Sequence, residues 1–337
     1  MQEDMKMALT PKENYLRTLR GEIPEFVPAG FLIPSMMPVH DELLTPNNLI
    51  ETQGAPFVTS LGITYVASPE LNYGAMPKPG SIVVDDITKW RDQLKIRDVT
   101  GRDWEGYYKK AEEKIDRKNL CLAVDSGDYF LILVGLMGFE NAMLAAVEEP
   151  EEVIAMLTEI SEFLIMVAKQ QMRYLKPDVY ILMDDDAAYH APFFSLKTYR
   201  EIFKPFHKLH CDLALENGCM VVRHDCGKSE QFIDDWLEMG ICGWNPFQIS
   251  NDCKGIKQKY GDRLTLEGGW DGLKFGGLNY PDSELIEALE DYVDTFAPGG
   301  RFVFSAMAGP FGPEPNPKRD VVLKFYNEKV KDYYKTH

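Results

Sequence analysis

This sequence lacks a long apolar run and has fewer basic than acidic residues. Over its 337 residues no apolar run reaches the roughly 18 residues that a membrane helix needs. The opening MQEDMKMALTPKEN also lacks the apolar core of a signal peptide. We therefore expect a cytoplasmic protein with no membrane partner, whose six cysteines are reduced thiols.

The charge balance excludes another class of partner. Lysine and arginine together number 36, against 53 aspartates and glutamates, which gives a net charge of −17 at pH 7. Nucleic acids and anionic membranes are bound through Lys and Arg contacts to phosphate, so we expect no nucleic acid as a partner. The acidic surface does not by itself select a substrate.

Short apolar runs alternate with helical patterns along most of the chain. Eight such runs predict strands buried on both faces, at residues 25–32, 61–66, 120–126, 178–185, 219–227, 241–247, 264–270 and 301–306. Helical patterns lie between most of them, at residues 150–174, 196–217, 229–239, 282–296 and 317–334. This alternation predicts an α/β fold, a (β/α)8 TIM barrel.

The predicted barrel has two additions. Thr10, Pro11 and Glu13 form the pattern of a capped N-terminal helix, which Gly21 ends. The stretch 69–119, rich in Pro, Gly and charge, predicts a long insertion between strands two and three. The sequence contains no interdomain linker, so we expect a single domain over 1–337. A doubly wound open sheet is the alternative, although no GxGxxG follows the first strand to favour it.

The strongest candidate site is His224-Asp225-Cys226, near the end of the fifth predicted strand. Side chains two apart on a strand project to the same side, so His224 and Cys226 are expected to point together into the barrel mouth. Barrel active sites lie at that end of the strands, and imidazole with thiolate is a natural pair for Zn²⁺. The alternative is a buried histidine bonded to the backbone, beside an inert core cysteine.

A run of three carboxylates ends the fourth predicted strand. Asp184, Asp185 and Asp186 repel one another unless a metal, a substrate cation, a bound proton or basic partners relieve them. The alternative is a solvated loop in which one aspartate caps the following helix. Tyr189 and His190 follow in the same loop and are candidates for hydrogen bonds to a substrate.

Further candidates lie at the ends of two other predicted strands. In EGGWD, at the end of the seventh, two glycines let a ligand or metal approach the backbone closely. Glu267 is a candidate zinc ligand there, and Trp270 is a candidate wall of an aromatic pocket, with simple packing as the alternative. Asp125 and Asp128, at the end of the third, are candidates for substrate binding.

These segments together resemble the uroporphyrinogen decarboxylase superfamily. The resemblance rests on TPKENYLRTLRGEIPEFVP, on MDDDAAYHAPFFSLKTYREIFKPFHKLH and on the ordered motifs HDCG, GICGWNPF and EGGWD. It spans nearly the whole chain and implies the barrel fold. True uroporphyrinogen decarboxylases carry an arginine-rich N-terminal segment that binds the porphyrinogen carboxylates. The matching segment here, VPAGFLIPSMMPVH, is apolar and has no arginine, so that activity is not expected.

The chain looks more similar to the zinc methyltransferases of the superfamily, which work with corrinoid proteins. Their His-x-Cys motif matches His224 and Cys226, but Ala308 stands where these enzymes often have a third, cysteine ligand. Glu267 is the preferred replacement, followed by one of the three aspartates and then Cys253. A harder His/Cys/Glu set suits an ether oxygen. The resemblance thus implies an O-demethylase methyltransferase that acts on a phenyl methyl ether such as vanillate or veratrol.

The implied reaction transfers the methyl group to the Co(I) of a corrinoid (cobalamin) carried by a separate, transiently bound protein. Zn²⁺ polarises the ether oxygen, and one of Asp184, Asp185, Asp186 or Tyr189 assists the departing phenolate.

A pocket for the aromatic ring of the donor is the remaining part of this expectation. It would be lined by apolar residues that include Phe31, Met36, Met37 and Trp270. The alternatives are a metal-free decarboxylase or lyase, and a non-catalytic ligand-binding barrel.

Overall fold

Strands alternating with helices form both units into which the chain divides in the computed structural model. The structure describes residues 9–30, 32, 34–44, 55–67, 75–277, 279–306 and 318–337. Unit 1 comprises the described parts of Met1–Met37, Ile115–Leu122 and Ile241–His337, and unit 2 those of Pro38–Lys114 and Ala123–Gly240. The single domain over 1–337 stays a prediction.

Three parallel strands form the centre of unit 2. They are β5 (Cys121–Asp125), of which Ala123–Asp125 belong to this unit, β6 (Val179–Met183) and β7 (Met220–His224), with Ala123 opposite Val179 and Val179 opposite Met220. Their residues are buried almost throughout, as expected of strands covered on both faces. The helices of this unit are α2 (Trp90–Gln93), α3 (Trp104–Glu112), α4 (Tyr129–Met137), α5 (Phe139–Glu148), α6 (Pro150–Leu175), α7 (Leu196–Thr198), α8 (Lys204–Glu216) and α9 (Ile233–Glu238).

A second, antiparallel sheet in unit 2 corrects one predicted strand. It consists of β2 (Phe57–Val58), β3 (Thr64–Val66) and β4 (Met76–Pro77). The prediction that residues 61–66 form a barrel strand was wrong, because this segment begins in a tight turn. Gly62 adopts a φ of 81° and donates its N–H to Thr59 O. Only residues 64–66 of the predicted strand therefore pair with neighbouring strands, as β3.

Unit 1 contains a second set of parallel strands. They are β8 (Ile241–Phe247), β9 (Thr265–Gly268) and β10 (Phe302–Val303), with Trp244 opposite Leu266 and Leu266 opposite Phe302. The other elements are α1 (Pro11–Arg20), α10 (Cys253–Tyr260), α11 (Gly272–Phe275), α12 (Asp282–Phe296), α13 (Lys318–Phe325) and α14 (Tyr333–Thr336). The first two residues of β1 (Met36–Val39) belong to this unit and its last two to unit 2. The predicted capping box of α1 is confirmed: Thr10 and Glu13 cap each other, and Gly21 ends the helix.

The predicted first strand at residues 25–32 was wrong. Its described residues form no strand longer than a single bridge at Ala29. Pro24 directly precedes this segment and Pro28 lies within it. Neither proline has an N–H to donate to a β-ladder. Pro28 still accepts a hydrogen bond from Phe304 N at 2.8 Å, so the segment is held in place without being a strand.

The remaining predicted strands and helices match observed elements to within a few residues over the described ranges. The α/β class is therefore confirmed, whereas closure into eight βα pairs and the insertion at 69–119 stay predictions. Within the described residues, no single helix is long and apolar enough to cross a membrane. The bent pair α4 and α5, at 112° to each other, passes that test only when its members are taken together.

Candidate metal and substrate site

The ends of β6 and β7 bring the predicted site residues together. The two strands are parallel with Met183 opposite His224, so the residues that follow each strand are neighbours. Asp184 N donates to His224 O at 3.2 Å, and Cys226 N donates to Asp185 Oδ1 at 2.8 Å. Because side chains alternate along a strand, Asp185, His224 and Cys226 share one face, and Asp184, Asp186 and Asp225 share the other.

Asp185, His224 and Cys226 form a cluster that could hold a metal ion. One potential ligand atom from each lies within 4.8 Å of the other two, and His224 Nε2 is 4.0 Å from Cys226 Sγ. All three side chains are half-buried. Oxygen, nitrogen and sulfur are all Zn²⁺ ligands, and three protein ligands with a fourth position open are typical of catalytic zinc sites. The donor set therefore fits zinc.

The charges of this cluster are unbalanced. Burial raises the pKa of the Cys226 thiol, and the neighbouring carboxylate of Asp185 raises it further. A thiolate and a carboxylate this close disfavour each other, and a bound divalent cation reverses that preference.

The opposite face of the same strand ends contains a fully buried ionic network. Arg223 Nη2 donates to Asp186 Oδ2 at 2.5 Å and to Asp225 Oδ2 at 2.6 Å, and Ser229 donates to Asp225 Oδ1 at 2.6 Å. Burial raises the pKa of Asp225 to about 6, while the Arg223 guanidinium opposes that shift. The network ties the residues beside Asp185 and His224 to each other, and so fixes the backbone that presents the cluster.

Asp184 is buried and serves the start of α4. Its carboxylate accepts hydrogen bonds from the three successive backbone N–H groups of residues 129–131, at 2.8–2.9 Å. His207 Nε2 lies 3.1 Å from the same carboxylate. Burial lowers the pKa of His207 to about 4, so the imidazole is neutral near pH 7. These contacts differ from the alternative of a solvated loop that caps the following helix, because Asp184 is buried and binds the start of α4, which precedes it in the chain.

The end of β5 adds two further carboxyl groups. The Asp125 carboxylate lies 2.9 Å from His40 Nδ1, and it raises the pKa of that imidazole. Burial raises the pKa of Asp128 well above its usual range, and Asp184 and Asp125 raise it further. A cavity of about 190 Å³ borders Asp128 and Met183.

Two predicted residues lie in unit 1. Glu267 is in β9, and burial raises its pKa to about 7 although a hydrogen bond from Asn245 opposes this. Its Oε1 lies close to Gly30, and a Cβ atom on residue 30 would be only 2.9 Å from that oxygen. Trp270 lines a separate open cleft of about 480 Å³ together with Phe275. A ligand role for Glu267 and a substrate role for Trp270 stay predictions.

The other predicted residues lie in varied surroundings. Tyr189 and His190 are exposed, with their rings perpendicular at 5.0 Å. Met36 and Met37 are in β1, where Met37 is 41% exposed. Phe31 and Ala308 fall outside the described residues, and their predicted roles stay predictions.

Sequence reasoning missed three partners of the site: Arg223, His207 and His40. Arg223 had a readable signal, because it interrupts an apolar strand run directly before His224. The two histidines come from α8 and from the segment after β1, and their distance in sequence from the aspartates gave no signal.

Comparisons with known proteins agree with this fold. The sequence model of the family described as uroporphyrinogen decarboxylase (URO-D) matches residues 118–311, which is more than half of the chain. A solved structure of a methyltransferase from Methanosarcina mazei superposes with a TM-score of 0.57. It is 15% identical, and the alignment covers 95% of this chain and 99% of that one. At that identity the likeness shows a shared fold. No curated protein matches the sequence.

Proposed function

Because the chain belongs to the uroporphyrinogen decarboxylase (URO-D) family, we propose that it is a zinc-dependent methyltransferase of that family. It moves the methyl group of a methoxylated aromatic, such as vanillate or veratrol, to the Co(I) of a corrinoid on a partner protein. The cluster of Asp185, His224 and Cys226 carries the proposal. The name of the structurally similar protein from Methanosarcina mazei supports the same reaction class.

Asp185, His224 and Cys226 would hold the zinc ion in this proposal. Asp185 takes the third place because its oxygen already lies within 4.8 Å of the donor atoms of the other two. Glu267 remains the competing candidate that the sequence favoured. Bound zinc supplies a Lewis acid that polarises the ether oxygen of the donor.

The surrounding residues hold these ligands in position. Arg223 fixes Asp186 and Asp225, which flank Asp185 and His224 in the chain. The backbone N–H of Cys226 orients the Asp185 carboxylate at 2.8 Å. Partners of this kind orient metal ligands and typically contribute about 10- to 100-fold to metal affinity. The rim of the site must also accept the corrinoid protein, which we expect to bind transiently.

Metal content tests the proposal directly. We expect about one zinc per chain in the purified wild type, since a three-ligand site binds one ion. The variants His224→Ala and Cys226→Ser should each lose it. Cys242→Ser is the matched control, because Cys242 is a half-buried thiol in β8 outside the cluster.

The wild type should then demethylate a methoxylated aromatic with a reduced corrinoid as acceptor. A wild type that neither contains nor takes up zinc would overturn the proposal and favour a metal-free lyase. Zinc binding without methyl transfer from any donor would instead favour a non-catalytic ligand-binding protein.

A further inference from the structure

A cavity of about 190 Å³ in unit 2 lies at the carboxyl ends of β5 and β6. Most of its lining is apolar and includes Leu61 and Ile63 beside the small sheet, Leu131 and Ile132 in α4, and Leu164 in α6. Asp128 contributes the carboxyl group of the lining.

The size of this cavity suits one small ring. An apolar cavity of roughly 150 Å³ holds a benzene molecule. The cavity therefore has room for a benzene ring with a small substituent such as a methoxy group, and it is far too small for a tetrapyrrole. Its apolar walls favour a neutral aromatic over a strongly hydrated ion.

The cavity is adjacent to the metal cluster. Met183 lines the cavity and stands directly opposite His224 in the parallel pair β6–β7. Paired strands lie about 4.8 Å apart, so the cavity begins one strand away from a proposed zinc ligand. The cavity therefore lies beside the strand end that carries the cluster.

Asp128 differs from the other four carboxyl groups at these strand ends, of which Asp186 is bound by Arg223. Asp184 is held by backbone N–H groups of α4, Asp125 is paired with His40, and Asp185 belongs to the metal cluster. Asp128 instead lines the cavity, where burial and its acidic neighbours raise its pKa. It also adds to the rise in the pKa of the Tyr65 hydroxyl, which is caused mainly by burial.

We propose that this cavity holds the aromatic ring of the methyl donor and that Asp128 protonates the phenolate that leaves. The inference rests on the proposed function. The methyl C–O bond breaks with its electron pair remaining on oxygen, and the methyl carbon forms its new bond to the reduced corrinoid. The phenolate oxygen takes the proton of Asp128, and the resulting aspartate is reprotonated from water. A proton donor of this kind contributes about 10²- to 10⁴-fold to a rate.

Ligand binding tests the cavity without any need for catalysis. Anisole, phenol and tetramethylammonium are titrated by calorimetry into the full-length, metal-free wild type and into Leu131→Trp, in which the larger ring fills the cavity. We expect anisole and phenol to bind the wild type and to lose at least about 10-fold in affinity for Leu131→Trp. Binding of tetramethylammonium but not anisole overturns the assignment, as does equal anisole binding by both proteins. Zinc content is unaffected by either result, so failure of the cavity is distinguishable from failure of the proposed function.

The leaving group tests Asp128. With cob(I)alamin as acceptor, kcat is measured for anisole and for 4-nitroanisole, whose phenolate needs far less protonation. We expect Asp128→Asn to lower kcat about 100-fold for anisole and less than about 10-fold for 4-nitroanisole, with little change in KM. Asparagine keeps the shape of the side chain but carries no acidic proton. An equal loss for both donors, or a loss confined to KM, shows a structural role and overturns the assignment of Asp128 as the acid.

Discussion

The two faces of the strand ends after β6 and β7 differ in how their charges are balanced. On the buried face, Asp186 and Asp225 share Arg223, and all three side chains are fully buried. On the half-buried face, Asp185 lies beside His224 and Cys226, and the cluster itself contains no permanent cation.

This difference indicates which face contributes to stability and which face is suited to binding a ligand. A buried pair of carboxylates needs a cation nearby, and the chain supplies one from its own strand on the first face. On the second face a divalent metal ion would provide the balance. We therefore expect the Arg223 network to contribute to stability and propose the Asp185 cluster for metal binding, and the following changes test this distinction.

Removing Arg223 should have the largest effect. Arg223→Met leaves Asp186 and Asp225 buried without their cation, and breaking a buried pair in this way costs about 3–5 kcal/mol in the free energy of unfolding. Urea denaturation of the metal-free protein measures this loss. Arg200→Met is the matched control, because Arg200 is half exposed in its ion pair with Asp235 and should lose no more than about 1 kcal/mol. Equal losses for the two variants would contradict the distinction between the faces.

Removing the charge of Asp185 should have the opposite result, with a loss of zinc affinity and no loss of stability. Asp185→Asn should lower zinc affinity by at least about 100-fold, or about 2.7 kcal/mol, because loss of a ligand exceeds the effect of an outer partner. The free energy of unfolding of the metal-free protein should not fall, because the variant removes a negative charge that has no balancing cation within the cluster. Competition with a zinc chelator measures the affinity.

Glu267→Gln serves as the comparison for that experiment. It decides between the ligand that the sequence favoured and the one that the geometry favours. Zinc loss in Glu267→Gln together with retention in Asp185→Asn would restore Glu267 as the third ligand.

Local patterns in the sequence were sufficient for most of the secondary structure. The helix at 282–296 and the strand at 241–247 have the predicted bounds, because an amphipathic pattern and a short apolar run are both local signals. The errors at 25–32 and 61–66 share one cause, which is that turn and proline geometry overrode an apolar composition. Proline removed the donors in the first, and Gly62 turned the chain in the second.

The candidate site was only partly readable from the sequence. The i, i+2 spacing of His224 and Cys226 is local, and the structure does place them together. Which of the three aspartates joins them depends on the register of β6 against β7, which no local pattern encodes. Glu267 was preferred on chemistry alone, whereas the choice of Asp185 needs the pairing of two strands whose partner residues are 41 positions apart in the sequence.

A substitution at Asp184 tests whether the buried polar network that stabilises the fold includes the start of α4. Asp184→Asn keeps the shape of the side chain but weakens the charge-assisted bonds to three backbone N–H groups at the start of the helix, which should cost about 1.5–3 kcal/mol of unfolding free energy. Urea denaturation measures it. Asp103→Asn is the control, because Asp103 caps α3 through one exposed bond and asparagine caps nearly as well. A loss no greater than that of the control would mean that the buried network ends at Asp186.

Loss of the His40–Asp125 pair should have the smallest effect on the free energy of unfolding, because the His40 side chain is partly exposed to solvent. The His40 side chain is 28% exposed, and Asp125 raises its pKa above the ordinary 6.5. For a base whose pKa is higher in the folded state, the extra stability is complete below pH 6.5 and is lost as the pH rises through the folded value. We expect a decline of at most about 1 kcal/mol, measured by urea denaturation between pH 6 and pH 8.5. His40→Gln should remove that decline when the slopes of the two proteins are subtracted. A variant with an unchanged slope would locate the pH dependence elsewhere and would contradict a stabilising charge interaction between His40 and Asp125.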